Sequence, residues 1–116
     1  MTQFHHACAL TDVPVGGVLA VDVGGVEVAI VRTADTADAV FAIRDECSHA
    51  SIALSEGDVD AEGCEIECWL HGSRFDLRSG KPTGLPAYEP VAIYACKVED
   101  EAILVDVDHP INETEL

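Results

Sequence analysis

Residues 18–32 read VLAVDVGGVEVAIVR. Leu19, Val21 and Val23 alternate with Ala20 and Asp22, so apolar side chains recur at every second position and share one face of an extended chain. Gly24-Gly25 then separates two valine-rich runs, and a glycine pair in that place predicts a tight hairpin turn. Residues 26–31 return as the second strand. Working outward, residues 40–43 and 64–67 give two more short strands. Residues 74–77 and the segment after Lys81 flank Ser79-Gly80, a second hairpin. Residues 91–98 and 102–107 bracket the polar turn Glu99-Asp100-Glu101 and make a third. Residues 34–39 hold Thr36 and two aspartates and predict a loop. Pro14, Pro82, Pro86 and Pro90 keep their neighbourhoods out of central strands. The expected fold is all-β: antiparallel sheets in a sandwich or partly open barrel. One domain is expected over residues 1–107. A frayed tail is expected over 108–116, where Pro110 stands among polar groups.

Composition bounds the function classes. At 116 residues with 48% hydrophobic residues, the chain can bury a core without disulfides. No apolar run approaches the roughly 20 residues of a membrane helix. Residues 1–10 carry no Lys or Arg and place His5-His6 where a secretory signal has its apolar core. A cytoplasmic, reducing compartment is therefore expected, and five cysteines there point to metal or redox chemistry. The net charge of −16, from 22 acidic and 6 basic residues, opposes binding to nucleic acid. It suits brief, electrostatically steered docking on a basic partner.

Two segments carry chemistry. Cys47-Ser48-His49 and Cys68-Trp69-Leu70-His71 together read C-x-H-x18-C-x2-H. Each pairs one thiolate with one imidazole inside a short loop. A [2Fe–2S] cluster needs two protein ligands per iron, and replacing two thiolates by neutral imidazoles removes negative charge from one iron and raises its potential. Cys47, His49, Cys68 and His71 supply that set from two loops that must meet at one end of a β scaffold. Zinc also accepts two Cys and two His. Zinc fingers, however, pair like with like, with the His pair on a helix, and no helix is predicted after His71. Cys64 precedes Cys68 by four residues, about 13 Å along a strand, too far to replace it without rebuilding the loop. Cys64 reads as a structural thiol, and Cys8 and Cys96 as small core residues. His5, His6 and His109 lack a paired cysteine and read as solvated bystanders.

On these residues the chain resembles the Rieske ferredoxins, from about residue 4 to residue 107. The match rests on Cys47-Ser48-His49, on Cys68-Trp69-Leu70-His71-Gly72-Ser73-Arg74-Phe75-Asp76 and on Ser79-Gly80-Lys81-Pro82. The resemblance implies antiparallel sheets with two cluster-binding loops at one end. It implies an inner iron on Cys47 and Cys68 and an exposed iron on His49 and His71. Residues 82–86 resemble the proline-containing loop that covers the cluster. The implied role is one-electron transfer from a flavoprotein reductase to an oxygenase-type acceptor of an aromatic-ring dioxygenase system, with no catalysis by the carrier itself. The Glu67–Asp76 string also resembles Rieske proteins found beside iron–sulfur-cluster assembly machinery. A complete oxygenase would need a second domain with a mononuclear iron, for which the chain after the second motif has no room.

Departures from the resemblance bear on potential. High-potential Rieske proteins join the two loops by a disulfide whose cysteines would fall at Ile52 and Leu70, and they place a Tyr where this chain has Phe75. Ser73 is retained as a hydroxyl donor. Fewer hydrogen bonds to the cluster and its ligands leave the reduced, more negative state less stabilised.

Overall fold

The computed structural model describes residues 4–36, 39–46, 52–69, 72–84, 89–108 and 110–112. Among them are ten strands, two single 3-10 turns and no α-helix. Strands β1 (His5–Ala9), β2 (Gly17–Val23), β3 (Val26–Arg32), β4 (Val40–Arg44), β9 (Ile93–Glu99) and β10 (Ala102–Asp106) form one antiparallel sheet in the order β1-β10-β9-β4-β3-β2. Its two edge strands approach each other, so the sheet curls toward a barrel. Strands β5 (Asp58–Asp60), β6 (Glu65–Glu67), β7 (Arg74–Asp76) and β8 (Pro82–Gly84) make a second, four-stranded antiparallel sheet in sequential order.

The sequence pattern explains this division. In β3, Val28, Ala29, Ile30 and Val31 are all fully buried. Val28 and Ile30 face the barrel interior with Val23, Ala42, Tyr94, Ile103 and Val105. Ala29 and Val31 face the other way, onto Ile43, Leu54, Ile66, Phe75 and Leu77. A strand buried on both faces reads as an unbroken apolar run, which is what residues 28–31 are. The hairpin at Gly24-Gly25 closes in register Val23↔Val26, with φ of +58° and +86° at the two glycines. The β9–β10 hairpin closes Glu99↔Ala102 across Asp100 and Glu101, which adopt φ of +51° and +64° without glycine. Both turns thus match the right-handed twist of their strands.

Four details differ from the sequence reading. His5 and His6 are exposed, yet they belong to β1 and pair with Val105 and Leu104. Cys64 is not in a strand: it ends a turn at φ +56°, and β6 begins at Glu65. Strand β5, Asp-Val-Asp, gives no strand signal in the sequence because Asp is disfavoured in sheets. The tail expected to fray from Asp108 is corrected for residues 110–112. Asn112 is 6% exposed; its side-chain oxygen accepts the Ile93 N–H (3.0 Å), and its amide donates to the carbonyls of Val91 (2.8 Å) and Ser79 (3.2 Å). The Ile111 N–H donates to the Ile93 carbonyl (2.8 Å). Buried backbone groups next to β9 need partners, and Asn112 supplies them, tying the turn of the small sheet to the large one. Residues 113–116 and His109 lie outside the described residues.

Candidate metal centre

Of the four expected ligands, the described residues include Cys68; Cys47, His49 and His71 lie outside them. Cys68 directly follows β6 and is fully buried. Its N–H donates to the Ser73 carbonyl (2.7 Å), and its carbonyl accepts the Gly72 N–H (3.0 Å). The hairpin between β6 and β7 is thereby closed at its base, one residue beyond the Glu67↔Arg74 pair. Gly72 takes φ +76°, a left-handed conformation that a side chain would strain. On the sheet surface, Arg74 Nε donates to Glu67 (2.9 Å), and its guanidinium also lies near Glu65 (3.6 Å) and Asp60 (3.7 Å).

The bases of the two loops meet in one apolar layer. Leu54, which follows the first loop, and Cys68, which opens the second, belong to the same buried cluster with Ile66, Phe75 and Leu77. Trp69, the next residue, is outside that buried layer and is 53% exposed. The second loop therefore has a dry sulfur side and a solvent-facing aromatic. Phe75 is fully buried and brings no hydroxyl.

The remaining described cysteines are poor rivals for iron. Burial pushes the thiols of Cys8 and Cys64 above their ordinary range and that of Cys96 up to about 11. A metal ligand must be the thiolate. Cys64 packs in the apolar cluster, and the Cys96 thiol donates to the Val40 carbonyl (3.2 Å). Cys8 and Cys64 are buried and Cys96 is half-buried, in line with structural roles.

A buried cysteine at the mouth of a closed loop, in a chain whose two short motifs hold two thiols and two imidazoles, suits an iron–sulfur centre with mixed ligation. A model of the Rieske [2Fe–2S] domain matches residues 3–95, which include both motifs. The chain belongs to the Rieske [2Fe–2S] family. The cofactor of a Rieske domain is one [2Fe–2S] cluster, so the structural zinc alternative falls away.

This Rieske chain is 34% identical over 102 residues to the 3-phenylpropionate/cinnamic acid dioxygenase ferredoxin subunit of Escherichia coli, spanning 88% of this chain and 92% of that one. Among solved structures it is similar to the ferredoxin of carbazole 1,9a-dioxygenase from Nocardioides aromaticivorans, with 42% identity, a TM-score of 0.83 and coverage of 90% of this chain and 98% of that one. It also matches a chain in a complex of reduced oxygenase and oxidized ferredoxin of carbazole 1,9a-dioxygenase, with 29% identity, a TM-score of 0.79 and coverage of 91% and 94%. These relatives are named as ferredoxins, and this Rieske chain is likewise an electron carrier, not a catalyst.

Sequence reasoning names the expected ligands but not the contacts at the base of the first loop. Asp45 is 6% exposed, and both of its carboxylate oxygens are engaged by Ser55. Nothing local marks that pair, because its members are ten residues apart.

Proposed function

We propose that this chain is the one-electron carrier of an aromatic-ring-hydroxylating dioxygenase system. It takes electrons singly from a flavoprotein reductase in the cytoplasm and delivers them to an oxygenase. The observation that carries this reading is that the Rieske domain match spans both mixed motifs, the second of which opens at buried Cys68. Cys47 and Cys68 would hold the inner iron, and His49 and His71 the outer one. The bound cluster supplies a centre that accepts and returns one electron.

The chain's own residues set the conditions for that exchange. Leu54, Ile66 and Phe75 exclude water from the Cys68 side. Trp69 presents an exposed ring between two ligand positions, suited to contact with a partner. The charge of −16 steers a basic partner over distances of about a Debye length, roughly 10 Å at moderate salt.

Potential is the direct test of this role. Phe75 brings no hydroxyl and neither Ile52 nor Leu70 is a cysteine, so two groups that stabilise the reduced cluster in high-potential Rieske proteins are missing. A spectroscopic redox titration should give a one-electron midpoint on the order of −150 mV, the low end of the Rieske range. A clearly positive midpoint, or a two-electron transition, would refute the assignment to a low-potential carrier.

A further inference from the structure

The first ligand loop leaves the large sheet after β4 and returns at the 3-10 turn Leu54–Glu56. Among the described residues, its two ends are joined by the side chains of Asp45 and Ser55. The Ser55 N–H donates to Asp45 Oδ1 (2.7 Å), and the Ser55 hydroxyl donates to Asp45 Oδ2 (2.7 Å). Asp45 is itself pinned: its N–H donates to the Glu27 carbonyl (3.0 Å), and the preceding Arg44 N–H donates to the Ala92 carbonyl (2.9 Å). Ser55 is pinned through its neighbour Leu54, fully buried in the cluster that contains Cys68.

A buried carboxylate is costly unless its charge is met by hydrogen bonds. Here both oxygens are met by one residue at the far end of the loop, and no salt bridge reaches Asp45 among the described residues. An apolar residue would fill the same place at less cost. What the carboxylate adds is direction: two short bonds fix the loop's exit relative to its entry, and they tie that entry to the floor beneath Cys68.

We infer that the Asp45–Ser55 staple is a positioning device for the cluster. It holds the loop that carries Cys47 and His49 at a fixed place relative to the loop that begins at Cys68. This rests on the ligand assignment proposed above. Removing either side chain loosens the tie between Asp45 and Ser55, and faster iron loss is the expected consequence.

The test compares iron-loaded wild type with Ser55→Ala, Ser55→Thr and Asp45→Ala. The readouts are the rate of iron loss to a ferrous chelator and the EPR line shape of the dithionite-reduced protein. Ser55→Ala removes only the hydroxyl bond and changes no charge. It should lose iron roughly fivefold faster, with broadened EPR features from a spread of ligand geometries. Asp45→Ala removes both bonds and should lose iron roughly 10- to 100-fold faster, as when a group that orients a metal ligand is deleted. Ser55→Thr keeps both donors and should behave as wild type. Should Asp45→Ala fail to fold, Ser55→Ala against Ser55→Thr decides the matter. Iron-loss rates and line shapes equal to wild type in Ser55→Ala, whatever its melting temperature, would overturn the staple's role while leaving the ligand assignment standing. A wild-type protein that binds no iron would overturn the ligand assignment itself.

Discussion

Cys68→Ser should yield a colourless protein that melts roughly 20 °C below the iron-loaded wild type. The cluster binds the folded chain and has no assembled site in the unfolded one, so its binding energy is folding energy. A ligand present at about 1,000 times its dissociation constant stabilises by about 4 kcal/mol. For a domain near this size each kcal/mol moves the midpoint by about 4–8 °C. Cys68 is fully buried in the cluster that also holds Leu54, so the tie it makes spans both loop bases. Cys47→Ser and His71→Ala should move colour and melting temperature in the same direction. Differential scanning calorimetry with iron analysis checks this. A lost cluster with an unchanged midpoint would show that the two sheets need no metal to hold them.

The second large effect lies outside the ligand set. Gly57→Ala should destabilise the fold by about 3 kcal/mol or more and lower cluster occupancy with it. A Cβ on Gly57 would overlap the Glu67 carbonyl oxygen and crowd the Leu54 carbonyl at 3.3 Å. Its backbone is extended (φ −90°, ψ −168°), so the conflict is one of space, not of conformation. Relief requires parting β5 from β6 at the Asp58↔Glu67 pair, and the next residue after Glu67 is Cys68. Gly63→Ala is the contrast. The three atoms nearest its Cβ would all belong to the Asp60 carboxyl group, the closest at 2.7 Å, and this half-exposed side chain can turn aside at the cost of the bond it accepts from the Gly63 N–H (3.0 Å). Urea unfolding of the two variants should separate them by at least about 2 kcal/mol. Equal stability would mean that the β5–β6 contact yields freely.

What could be read from the sequence follows from where each determinant acts. Hairpins were legible where turn and strands are contiguous: Gly24-Gly25 between valine runs and Asp100-Glu101 between residues 91–98 and 102–107 carry their own signals. Strand β1 carries a weak signal, His-His-Ala-Cys-Ala, because its pairing is imposed by β10, nearly a hundred residues away. Asn112 looked like tail because its partners, Val91, Ile93 and Ser79, are close only after folding. The same split runs through the site. The proposed ligands stand out in the sequence because iron selects sulfur and nitrogen by atom type, and each mixed pair lies within a few residues. The contacts at the loop bases do not stand out in the same way. Asp45 with Ser55, and Gly57 with Glu67, meet across loops and sheets, and Asp, Ser and Gly occur in many turns without such a task.

Mixed ligation of one diiron centre is the claim on which the electron-carrier role stands. Pulsed EPR of the dithionite-reduced protein measures it directly. Two strongly coupled imidazole nitrogens on a reduced [2Fe–2S] signal, lost singly in His49→Cys and His71→Cys, are the predicted result. A reduced signal with sulfur ligation alone, or an iron-loaded protein with no such signal, would contradict it.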